Sequence, residues 1–112
     1  MPTFETPEAF EQALDRAAAA IFPGKQVVRI SRSIVATKFR IDLDARRFID
    51  VFFNCRNQRT DLTVIEGDRR IFGCDNLGGW HRHPAEAPDR HEACEEPTLE
   101  SFLRECAKFI AR

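Results

Sequence analysis

The chain has no tyrosine, which excludes any mechanism that needs a phenol. It has no Cys-x-x-Cys pair, so neither a zinc ribbon nor a thioredoxin-like site is expected. It has no Gly-x-Ser-x-Gly elbow and no P-loop. Asn76-Leu77-Gly78-Gly79 carries two glycines but precedes no helix, so it does not read as a phosphate cradle. No apolar run approaches a membrane span, and no membrane partner is expected. The start, Met1-Pro2-Thr3-Phe4-Glu5, lacks the basic and apolar regions of a signal peptide. These features point to a cytoplasmic protein in which Cys55, Cys74, Cys94 and Cys106 are free thiols.

What is present is the composition of a folded domain. The chain is 43% hydrophobic and 31% charged, unlike a disordered segment. Its 112 residues fit a single domain over 1–112, large enough to bury a core without disulfides or metal. The net charge of −1 conceals an uneven distribution. Arg16, Lys25, Arg29, Arg32, Lys38 and Arg40 occur with no acid among them, whereas residues 84–100 hold six acids against Arg90. A basic face of this kind can meet phosphate, although a mixed, solvated surface accounts for it as well.

The hydrophobic pattern changes period twice. Phe10, Leu14, Ala17, Ala18 and Ile21 recur at helical spacing behind Thr6 as N-cap and Pro7 at N1, and Pro23-Gly24 ends the run. Period-two segments follow. In the first, Phe39, Ile41 and Leu43 share one face and Lys38, Arg40 and Asp42 the other. In the next, Ile49, Val51, Phe53 and Cys55 share a face, while Phe48 and Phe52 make the opposite face apolar too, the mark of a central strand. Residues 62–65 and 70–74 flank a turn at Glu66-Gly67-Asp68. Residues 76–97 read as one long irregular segment, and residues 98–111 as a second amphipathic helix. The expected fold class is α+β: an antiparallel meander of four or five strands with an N-terminal and a C-terminal amphipathic helix.

All three histidines and the only tryptophan lie between Trp80 and His91. In an extended segment His81 and His83 point the same way. With His91 and Cys94 they make a tetrahedral set of three imidazoles and a thiolate, with Cys74 or Asp75 as an alternative ligand. The same residue types also serve metal-independent cleavage of RNA through its 2′-hydroxyl. His81 and His83 are then the acid and base, Asp75 orients a histidine, and Lys38, Arg40 and Arg82 bind phosphate. That chemistry calls for no cofactor. The structural alternatives are plain: Trp80 as a core plug, Asp75 and Asn76 closing Asx-turns, Gly78-Gly79 permitting a bend, and His91 as a surface residue.

Phe39-Arg40-Ile41-Asp42, then Arg70-Ile71-Phe72-Gly73-Cys74-Asp75-Asn76, then His81-Arg82-His83-Pro84 and Pro88-x-x-His91 form an ordered series. Over about residues 34–110 the chain resembles the TumE-like toxin family of prokaryotic toxin–antitoxin systems. The resemblance implies a toxin-like role and a small helix-turn-helix antitoxin as protein partner. RNA is the substrate expected from the histidine chemistry, and a homodimer is compatible with either. The competing expectation is a non-enzymatic binding module that holds a metal ion or a protein partner through residues 81–94.

Overall fold

The structure is a computed structural model that describes residues 3–110. Helix α1 spans Pro7–Ile21. Thr6 caps it by accepting from the Ala9 N–H at 3.1 Å, and Pro7 occupies the first turn, where its missing donor costs nothing. The helix stops at Phe22, and Gly24 then turns the chain with φ of 85°, a conformation that favours glycine.

Among the described residues seven strands follow in chain order and pair antiparallel, each with the next. They are β1 (Val27–Arg32), β2 (Ala36–Asp42), β3 (Arg47–Asn54), β4 (Arg59–Glu66), β5 (Arg69–Asp75), β6 (His81–His83) and β7 (Glu92–Ala93). Helix α2 spans Leu99–Ala107, and Thr98 and Ser101 close a reciprocal capping box at its start. It gives way after Ala107 to tighter turns through Ile110, short of the expected end at Ala111, which lies outside the described residues.

Period-two patterning sends Phe39, Ile41, Ile49, Val51, Phe53, Leu62 and Val64 to one face of the sheet. Both helices pack there. Phe10 of α1 stacks on Phe53 with ring centroids 4.5 Å apart, and Phe102 of α2 stacks on Phe72 at 5.8 Å. The core is one continuous cluster containing Leu14, Leu99, Leu103 and Cys106 from the helices. Each such side chain contributes about 1.5–3 kcal/mol when fully buried. None of the described helices is long and apolar enough to cross a membrane.

The expected α+β architecture is present, with a correction to the strand count. Residues 76–97 are not irregular throughout, because β6 and β7 lie within them. Their sequences, His-Arg-His and Glu-Ala, carry no apolar alternation. They form because β5 offers an edge of backbone donors and acceptors that the returning chain satisfies.

Candidate functional site: a histidine cluster on one carboxylate

The register across the sheet assembles the site. Residues directly opposite in antiparallel strands share a face. One row runs Lys38, Phe52, Asp61, Asp75, His81, and the next runs Arg40, Asp50, Thr63, Gly73, His83. Leu62 and Cys74, opposite each other in the neighbouring row, face the core. Asp75, His81 and His83 therefore sit on the face away from the helices, at its β5–β6 end.

Asp75 is 5% exposed, and both of its oxygens are engaged. Oδ2 lies 3.1 Å from His83 Nε2 and Oδ1 lies 3.2 Å from His81 Nε2. Oδ1 also accepts from the Leu77 N–H at 3.0 Å, closing the Asx-turn. Burial pushes the Asp75 carboxyl up. Hydrogen bonds from the Leu77 N–H and from His83, with the favourable electrostatic contact of the two imidazoles, outweigh that and hold it below the usual carboxylate value. Asn76 fixes the same turn to β4, accepting from the Thr60 N–H at 2.8 Å and donating to the Gln58 carbonyl at 2.7 Å. Gly78 and Gly79, with φ of 72° and 108°, make the bend that returns the chain as β6.

His83 is 1% exposed, and its Nδ1 has no hydrogen-bond partner. His81 is half-buried, its Nδ1 3.1 Å from the Gly79 carbonyl. His91 is exposed yet belongs to the same group: it stacks on His81 at 4.9 Å and meets His83 edge-on at 4.5 Å. Two tight turns bring it back, Ala87 N–H to Pro84 O and Arg90 N–H to Ala87 O. One nitrogen from each of the three rings lies within 4.8 Å of the others. Comparison of the chain with known protein families, curated proteins and solved structures finds no match.

The other residues singled out in the sequence lie elsewhere. Lys38 and Arg40 share rows with the histidines but stand on β2, four strands from β6, or about 19 Å at the usual strand spacing. Both pair with Asp50, at 3.8 and 3.4 Å. Arg82 alternates to the opposite face and pairs with Glu105 of α2 at 3.3 Å. Cys94 is not with the imidazoles; its Sγ lies 3.9 Å from Sγ of Cys74, on the core side. Burial, then the neighbouring Cys94, pushes the Cys74 thiol up to about 12. Trp80 packs at the core edge and donates its indole N–H to Glu96 at 3.1 Å, as a plug with a polar handle. Arg47 pairs with Glu66 and donates to the Phe109 carbonyl.

His91 carries more weight here than its sequence neighbourhood gives it. The pair of proline-bounded turns that fold residues 84–91 into a return loop is what brings it to the other two rings.

Proposed function

We propose that this chain is the toxin-like component of a toxin–antitoxin system and that it cleaves RNA at the His81–His83–His91 cluster. The observation that carries the reading is the shared carboxylate: Asp75 holds the Nε2 edge of both His81 and His83, with His91 stacked on His81. A fold gains little stability from burying an imidazole with an unpartnered nitrogen, because desolvating a polar group costs free energy. Such an outlay is typical of working sites. The TumE-like resemblance supplies the class of protein, and with it a helix-turn-helix antitoxin as partner.

Cleavage through the 2′-hydroxyl needs a group to take its proton as the oxygen attacks phosphorus. It also needs one to protonate the departing 5′ oxygen, and a cation for the phosphorane. Imidazoles serve the proton transfers near neutral pH, either directly or as ligands of a metal ion that binds water. His81 and His91 reach solvent and are the rings that would meet substrate. Lys38 and Arg40 stand too far away for the same phosphate and would meet the strand further along the uncovered face.

Induced expression in a bacterial host should arrest growth, and the purified chain should cut RNA. Both should be lost in His91→Ala and in His81→Ala/His83→Ala variants shown to be folded by circular dichroism. Undiminished arrest by the folded double variant would sink the reading.

A further inference from the structure

The cluster contains a feature that proton transfer does not use. His83 is buried, and its Nε2 faces the Asp75 carboxylate at 3.1 Å. A carboxylate accepts only, so Nε2 carries the proton, and Nδ1 in the neutral ring is a bare lone pair. That lone pair is buried and receives no hydrogen bond. Imidazoles that bind metals are built this way, one nitrogen donating to a carboxylate while the other ligates. Asp75 also meets Nε2 of His81, whose Nδ1 lies 3.1 Å from the Gly79 carbonyl and has to turn from it to ligate. Among the described residues no guanidinium or ammonium contacts the rings. Arg82 pairs with Glu105 on the other face, and Arg90, next in sequence to His91, pairs with Glu92 at 3.0 Å.

From this geometry we infer that His81, His83 and His91 form a three-imidazole site for one divalent transition-metal ion of the zinc class, with Asp75 as positioning residue. The ligand set is nitrogen only, since Cys94 lies with Cys74 on the core side. Three neutral imidazoles suit zinc, cobalt, nickel or copper and do not suit magnesium or calcium, which prefer oxygen. Metal–nitrogen bonds of about 2.0–2.1 Å put tetrahedral ligand nitrogens roughly 3.3 Å apart. The rings, now within 4.8 Å of one another, close by about 1.5 Å to take the ion. His91, exposed on its return loop, makes that move without disturbing the core. Three protein ligands leave a position open for water or a phosphate oxygen. Binding of the ion stands independently of the ribonuclease reading. Its role in cleavage rests on that reading: with the rings occupied as ligands, an ion-bound hydroxide would take the 2′-hydroxyl proton and return it to the departing 5′ oxygen, while the ion's charge would meet the phosphorane.

The test uses the full chain without a histidine tag, stripped with chelator and titrated with cobalt(II) alone, then with zinc in competition. One ion per chain is expected, with a visible d–d spectrum of low coordination number. His91→Ala should weaken binding at least tenfold. Asp75→Asn should weaken it by about ten- to hundred-fold at unchanged stoichiometry. No uptake, or uptake unaltered by His91→Ala, would overturn the site. RNA cleavage by stripped and loaded protein is read in parallel. Cleavage confined to the loaded form supports the cation role, and equal cleavage by the stripped form overturns it. Binding with no cleavage in either form supports the metal site and removes the ribonuclease reading alone.

Discussion

The Asp75 carboxylate and the His83 imidazole meet at 3.1 Å on the face of the sheet opposite the helices, with both side chains almost fully buried. Asp75→Asn keeps the shape but substitutes an amide for a charge that two imidazoles face. Removing one partner of a buried hydrogen bond costs about 1–3 kcal/mol, more when a charge is involved. Urea unfolding of Asp75→Asn should show a free energy of unfolding lower by that amount, seen as a lower midpoint with the slope unchanged. A midpoint equal to that of the parent chain would mean that the contact contributes nothing to stability.

Directly opposite His83 stands Gly73. A Cβ at Gly73 would lie 3.0 Å from the Leu62 carbonyl oxygen and 3.3 Å from Cδ of Arg70. The arginine stem can shift, but the Leu62 carbonyl belongs to the backbone of β4 and can yield only if the strand moves. Gly73→Ala should therefore destabilise the chain by about 1–3 kcal/mol, as overpacking does. Thermal unfolding checks the cost. The imidazole resonances of His83 should move with it, and unchanged resonances would show that β4 absorbs the methyl without disturbing the site.

The elements legible in the sequence are those whose own side chains specify them. Thr6-Pro7 marks the start of α1, and Phe39-x-Ile41 and Ile49-x-Val51-x-Phe53 mark the buried faces of β2 and β3. Strands β6 and β7 are not specified locally; they exist because β5 has an edge to fill. The site divides in the same way. The i, i+2 spacing of His81 and His83 is a strand property, and Asp75 is close enough in sequence to be drawn in with them. That Lys38 and Arg40 stand on the same rows as the histidines, yet about 19 Å away, depends on the register of five strands together, and no single segment encodes it. Arg82 parts from the histidines for a simpler reason. It lies between two histidines in sequence, and alternation sends it to the other face.

The four thiols should differ sharply in reactivity. Burial pushes Cys106 well above the ordinary thiol value, and burial with the adjacent Cys94 pushes Cys74 up to about 12. The thiolate is the reactive form, so both should stay inert at neutral pH. Cys55 and Cys94 are only partly buried. Mass spectrometry after brief iodoacetamide treatment should find label on Cys55 and Cys94 first, and on Cys74 and Cys106 only after denaturation. Native labelling of Cys74 as fast as in urea would contradict its placement.

Glu66, at the end of β4, receives the Arg47 guanidinium at 2.9 Å, and Arg47 also reaches the Phe109 carbonyl beyond α2. The Arg47 hydrogen bond is the main cause holding the Glu66 carboxyl below its ordinary 4.5; burial opposes it, and charge from Arg47, Arg46 and Arg69 adds to it. A carboxyl lowered in the folded state binds its proton more weakly than in the unfolded chain. Its contribution to stability is therefore fully present above 4.5 and is lost as pH falls through the lowered folded value. Arg47→Met should return the Glu66 titration towards 4.5 and flatten that part of the acid unfolding curve. Carbon-detected NMR of the Glu66 carboxyl reads the shift directly. A Glu66 titration unmoved by Arg47→Met would show that Arg46 and Arg69 suffice without the hydrogen bond.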